Sequence, residues 1–344
     1  MENNNHIQPN ELSKETKASM KVRIISAAIG ILIAAPLIFL GDFFFFALVA
    51  FILVVATYEI IHCAKRRYNP ALYIVAFILA LLMTFWPLIR SIPDFYQVIK
   101  EHGSITDFRI YNQFTELNIS ILIFVLSAFG LFFMVLIDKG FTVRDACFIF
   151  AVMVTITLGL QSGLLVRYLP SYQYHQLNPD ASSSYFNLYD NLESSIFLLY
   201  VLIGTFMTDA GAYFVGILFG RHKINERISP KKTWEGFVGG IIISSLVSFG
   251  FAMALCLTGH PLVMGMFDKQ HWYLVLILSL IIPIASTFGD FVFSSCKRYF
   301  EIKDFGNLMP GHGGILDRLD SMIFSLITTG VFISLIQYWG KFVK

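Results

Sequence analysis

Residues 43–61 read FFFFALVAFILVVATYEII, a continuous apolar run. Its length matches the about 20 residues that a helix needs to cross the hydrocarbon core of a bilayer. A transmembrane barrel strand is about half as long and alternates in polarity, so the run predicts a helix. Backbone hydrogen bonding in lipid permits little else. The same ruler, moved outward, finds further runs at 24–41, 71–89, 118–137, 146–168, 195–220, 236–258, 272–296 and 316–339. Only Gly41 and Asp42 separate the first two, as a turn. The expected fold class is all-α, a polytopic helical membrane protein with about nine transmembrane helices.

Composition agrees with a chain whose solvent is largely lipid. Of 344 residues, 56% are hydrophobic and 14% charged, against about a quarter charged in soluble domains. The formal charge of +2 and the lack of a long basic run exclude nucleic acid as an expected partner. Cys63, Cys147, Cys256 and Cys296 are widely spaced, form no CxxC pair and have no histidine at zinc-ligand spacing, so they read as small apolar residues. Residues 1–20 are mostly polar and lack the short basic start of a secretory signal. The first run is therefore expected to remain as a span.

Orientation follows from lysine and arginine. With the N-terminus inside, 18 of these residues fall in cytoplasmic segments and 7 on the opposite face. This asymmetry predicts an N-in, C-out protein of the plasma membrane. The long segments 90–117 and 169–194 then face outward and read as solvated caps. Runs before residue 195 hold few ionisable groups, whereas many follow from Asp209 onward. Residues 1–194 are accordingly expected to form a membrane scaffold and 195–344 a catalytic membrane domain, its polar site facing the cytoplasm.

Four constellations carry the chemistry. Asp209 lies inside the run 195–220, with Tyr213 one helical turn further on the same face. An intramembrane carboxylate usually faces a polar cavity, although a hydrogen bond between helices is the plainer alternative. The next segment holds Ser229-Pro230-Lys231-Lys232-Thr233-Trp234-Glu235-Gly236. A proline-led turn carrying two lysines, a threonine and a glutamate before a glycine-rich helix start suits phosphate contacts. For the nearby Arg221 and Lys223, the positive-inside bias is explanation enough.

Asp290 stands about 10 Å before the basic pair Lys297-Arg298 at 1.5 Å per helical residue. Ser286 and Ser294 lie one turn either side. Mg²⁺ suits such a carboxylate, because it commonly takes one or two protein carboxylates and completes its shell with water and substrate phosphate. An ion pair with a neighbouring helix is the alternative. The densest stretch is Lys303-Asp304 through Pro310-Gly311-His312-Gly313-Gly314-Ile315-Leu316-Asp317-Arg318-Leu319-Asp320. Its glycines let backbone amides approach an anion, and the following helix start aims its positive dipole end at the same place. Asp317 and Asp320 share a helix face, with Arg318 turned about 100° away.

This last stretch, with Ser294-Ser295-Cys296-Lys297-Arg298 before it, resembles the diagnostic motif of phosphatidate cytidylyltransferases, also called CDP-diacylglycerol synthases. Cys296 and Met309 depart conservatively from the family pattern. The segments around Asp209 and Ser229 to Gly236 are similar to the same family, so the resemblance covers about residues 205–325. It implies transfer of a cytidylyl group from CTP to phosphatidic acid, giving CDP-diacylglycerol and pyrophosphate, in a helical bundle that dimerises. It further implies that Asp290 and Asp317 bind Mg²⁺, with a second, monovalent cation as an option. Catalytic roles are expected for Asp290, Asp304, His312, Asp317, Arg318 and Asp320. Substrate contacts are expected from Asp209, Tyr213, Ser229, Lys231, Lys232, Thr233, Glu235, Lys297, Arg298, Lys303, Gly313 and Gly314. Rival readings are a CTP-dependent polyprenol kinase, an ether-lipid cytidylyltransferase, or a cation-coupled transporter using Asp209, Asp290 and Asp317 as an ion path.

Overall fold

The computed structural model describes residues 14–102, 117–177, 188–311 and 313–342. Among them are nine helices: α1 (Lys14–Leu40), α2 (Asp42–His62), α3 (Pro70–His102), α4 (Leu117–Ile137), α5 (Val143–Leu177), α6 (Leu188–Phe219), α7 (Trp234–Leu257), α8 (Trp272–Tyr299) and α9 (Leu316–Phe342). Between α6 and α7 lies a short antiparallel hairpin, β1 (Lys223–Asn225) and β2 (Ser229–Thr233). The nine apolar runs thus each fall on one helix. Six helices, α2 and α5 to α9, are long and apolar enough to cross a membrane. In α1, α3 and α4 the qualifying apolar stretches are shorter, Ile25–Leu40, Pro70–Trp86 and Ile121–Ile137.

Helix ends differ most from expectation at the two long segments expected to face outward. α3 continues to His102, α5 to Leu177, and α6 begins at Leu188. Hydropathy marks where lipid ends, whereas a helix can continue past that point until its own cap or breaker. The remainders of those segments, 103–116 and 178–187, lie outside the described residues.

One buried apolar cluster holds the bundle together. Its residues on α2, α3, α4 and α5 include Leu53, Ile60, Leu72, Ala76, Leu131 and Ile156. On α6, α8 and α9 the same cluster includes Phe197, Val201, Leu278, Ile282 and Ile333. Large apolar side chains also face outward, including Phe43 at 77% exposure and Leu136 at 80%. Such a surface suits lipid, where exposed apolar groups cost nothing and backbone groups must be paired internally.

α6 and α7 approach through small residues. A Cβ on Gly240 would lie 2.9 Å from the Thr208 carbonyl, and one on Gly236 would lie 2.8 Å from that of Ala212. Ser244 then donates across the contact to the Gly204 carbonyl at 2.6 Å. Small-residue contact of this kind is how membrane helices pack without a hydrophobic driving force between them. Pro283 inside α8 removes the amide that would bond the Ser279 carbonyl. The Ser245 hydroxyl of α7 donates to that carbonyl at 2.9 Å, so the break is repaired between helices.

Candidate active site

The segment expected to be a proline-led turn is the hairpin, with Lys223 opposite Thr233 and Asn225 opposite Ser229. Pro230 sits within β2. Thr233 caps α7, its hydroxyl accepting the Gly236 amide at 3.2 Å. Glu235 accepts from the Arg221 and His222 amides at 3.1 and 3.2 Å and pairs with the His222 ring. Thr233 and Glu235 therefore fasten the hairpin to α7. Side chains alternate along a strand, which separates the two lysines. Lys231 is exposed, whereas Lys232 forms an ion pair with Asp290 and lies 4.3 Å from the centre of the Phe291 ring.

Asp290 also accepts from Ser294 at 3.1 Å. One turn towards the bundle interior, the Ser286 hydroxyl is buried and has no partner among the described residues. Lys297, one turn beyond Ser294, points between Asp317 at 3.1 Å and Asp320 at 3.5 Å. Asp209 on α6 interacts electrostatically with Asp290, Asp320 and Lys232, and the Ser321 side chain is within its reach. Three helices, α6, α8 and α9, and the hairpin thus bring Asp209, Asp290, Asp317 and Asp320 around Lys232 and Lys297. Four carboxylates against two ammoniums leave a formal excess of two negative charges.

That excess suits a divalent cation, and the donors are hard oxygens of the kind Mg²⁺ prefers. Asp290 and Asp317 each face a lysine, so both already sit where positive charge is drawn. Among the described residues, no three acidic, histidine or cysteine groups form a ligand cluster alone. An ion here needs water and substrate oxygens as well, which is how Mg²⁺ is commonly held beside phosphates.

The segment before α9 is held by a residue that motif reading passed over. Glu59, near the end of α2 and 3% exposed, accepts the Ile315 amide at 2.9 Å and the Leu316 amide at 2.8 Å. These are orphan donors at the start of α9, and a carboxylate there also complements the helix dipole. A Cβ on Gly306 or Gly314 would collide with the Glu59 carboxylate. Asp317 secures the other side, accepting the Phe305 amide at 2.8 Å and the Gly314 amide at 2.9 Å through Oδ2. Gly313, at φ +86°, turns the chain between them. No local motif marks Glu59, since its partners lie 256 and 257 residues away.

Other expected residues lie around this centre. Tyr213, on the same face of α6 as Asp209, is 65% exposed, and Lys303, Asp304 and Arg318 are exposed. Ser229 begins β2. Arg298 turns away from the carboxylates, its Nε donating to the Ile228 carbonyl at 3.2 Å. His312 lies outside the described residues.

Fold and site define a polytopic helical membrane protein with an acidic, lysine-bridged centre at one end of its bundle. The Cytidylyltransferase family profile matches residues 21–336, and the chain belongs to that family. It is 30% identical over 309 residues to the phosphatidate cytidylyltransferase of Staphylococcus epidermidis, covering 89% of this chain and 96% of that one. Shorter alignments reach 43% over 132 residues with the phosphatidate cytidylyltransferase of Staphylococcus saprophyticus, 38% of this chain and 46% of that one. With that of Bacillus subtilis identity is 41% over 128 residues, 37% and 44% respectively.

Proposed function

We propose that this chain is a phosphatidate cytidylyltransferase, converting CTP and phosphatidic acid to CDP-diacylglycerol and pyrophosphate. The observation that carries this reading is the centre of four aspartates and two lysines at the bundle end, in a chain of this family. A phosphatidate oxygen attacks the α-phosphorus of CTP, the bond to the β-phosphate breaks, and pyrophosphate leaves with the electron pair. Both substrates are anionic, so the main obstacle is accumulated negative charge. A phosphate monoester near neutral pH is already largely ionised, so the aspartates need not act as bases.

Lys232 and Lys297, ion-paired here with Asp290, Asp317 and Asp320, bring the positive charge to this point, and a lysine ammonium, as a point charge on a flexible stem, can turn from carboxylate to phosphate. The Gly313 and Gly314 amides are already bonded, to the Met309 carbonyl at 3.1 Å and to Asp317 at 2.9 Å, so these glycines serve the turn before α9 and the lysines are the groups offered to phosphate. Positioning and electrostatics then supply most of the rate. Asp290 and Asp317 would hold Mg²⁺, which when bound neutralises phosphate charge; a monovalent ion is a further candidate. Asp209 shares its α6 face with exposed Phe206, Tyr213 and Ile217. That apolar stripe supports sideways access for a lipid substrate.

The finer reading is a homodimer in the plasma membrane, its centre facing cytoplasmic CTP. Support for the orientation is the lysine and arginine asymmetry. The test is to incubate purified protein with phosphatidic acid, Mg²⁺ and CTP labelled at either the α- or the γ-phosphate. The α-label should enter the lipid extract and the γ-label should leave as pyrophosphate. Entry of the γ-label into lipid would instead define a kinase.

A further inference from the structure

On the side of α8 turned away from the carboxylates, α5, α8 and the hairpin enclose a cleft of about 690 Å³. Arg144, Arg227 and Arg298 line it, together with Phe148, Ile228 and Tyr299. No acidic residue contributes to its wall. Asp145, next to Arg144, is engaged by Arg66 at 3.6 Å and by the Thr142 hydroxyl at 2.8 Å. None of the three arginines forms an ion pair with a carboxylate among the described residues. Two of them are nevertheless held in place. Arg144 lies 4.6 Å from the centre of the Tyr299 ring, and Arg298 is anchored through Nε, which leaves its terminal nitrogens available.

Three guanidiniums converging on one concave, partly apolar cleft repel one another unless an anion joins them. Arginine forks match phosphate oxygens in pairs. Apart from Ser295 the remaining wall is apolar or aromatic, and the cleft sits between the first turns of α5 and the last turns of α8, where those apolar helices end. A free phosphate would have no use for Phe148 and Tyr299, whereas the glycerol and upper acyl carbons of a lipid would rest on them. We propose that this cleft binds the phosphodiester headgroup of an anionic glycerophospholipid, separately from the carboxylate centre. Arg227 belongs to the same hairpin as Lys232, so a bound lipid would tie the hairpin tip to α8 while the other strand faces Asp290.

The proposal is tested by native mass spectrometry of the purified full chain in neutral detergent, titrated with phosphatidylglycerol or phosphatidylcholine. Phosphatidylglycerol is neither substrate nor product of the reaction assigned above, so the outcome does not depend on that assignment. Wild-type protein should retain phosphatidylglycerol in preference to phosphatidylcholine. The Arg144→Gln/Arg227→Gln variant should bind it about 30-fold more weakly, from roughly fivefold per arginine near an anionic surface. Each single Gln variant should lose about fivefold, and Arg144→Lys/Arg227→Lys should retain most of the binding. Unchanged turnover of the double Gln variant in phosphatidylglycerol-free micelles would show that it is folded. Equal retention by wild type and all variants, or no preference over phosphatidylcholine, would overturn the proposal. Displacement of the lipid by equimolar inorganic phosphate would reassign the cleft to a free anion.

Discussion

Asp317 gives one oxygen to the fold and turns the other to the site. Oδ2 accepts two backbone amides, while Oδ1 faces Lys297. Asp290 carries no such backbone duty, being paired with Lys232 and Ser294. Asp290→Asn and Asp317→Asn should each reduce kcat by at least about 100-fold, on the scale of lost electrostatic stabilisation at a reacting phosphate. Asp317→Asn should also lower thermal stability, since its environment was built for a charge. Normal turnover of either purified variant at ordinary Mg²⁺ would remove that residue from the proposed Mg²⁺ site. The lysines separate more sharply than their adjacency suggests. Lys232→Ala should raise the KM for CTP by about tenfold or more, whereas Lys231→Ala should change it less than twofold. The reverse order in steady-state kinetics would mean that the strand presents its other face to the nucleotide.

At the scale of elements, the start of α9 depends on α2. Glu59→Gln keeps the shape but replaces one acceptor by an amide that cannot accept, leaving a buried N–H unpaired at a cost of about 1–3 kcal/mol. Its thermal midpoint should fall. Gly306→Ala should act on the same contact from the other side, because its new methyl would meet the Glu59 carboxylate. The Glu59→Gln/Gly306→Ala pair should therefore be non-additive, with a coupling of roughly 0.5–3 kcal/mol, as for residues in contact. Strict additivity in unfolding experiments would show that the two positions do not share one packing site. The hairpin shows a related limit of local reading. Ser229 to Thr233 contains a proline and two lysines, which suggests a turn, yet pairing with Lys223 and Asn225 makes it a strand. That pairing sends Lys231 and Lys232 to opposite faces.

For the whole molecule, topology decides which compartment supplies the nucleotide. In a background without native cysteines, Asn307→Cys should react with an impermeant thiol reagent only from the cytoplasmic side, and Lys269→Cys only from outside. Both positions are exposed, so buried geometry would not mask them. Opposite labelling would place the carboxylate centre away from cytoplasmic CTP. The expected boundary at residue 194 between scaffold and catalytic parts does not isolate the site from the first half, because Glu59 reaches across it.

The helical membrane class was legible in the apolar runs, since lipid leaves the backbone so few alternatives. The aspartates 290, 317 and 320 and Lys297 were also legible, because charge at the boundary of an apolar helix is costly without a purpose. Only tertiary structure decided which charges meet. Lys232 reaches Asp290 because β2 alternates, Arg298 joins Arg144 and Arg227 because one residue on a helix is a turn of about 100°, and Glu59 caps α9 because two distant helices pack together. Hydropathy and motif spacing record what each residue costs or offers along the chain; which partner satisfies it is set by contacts between segments far apart in sequence.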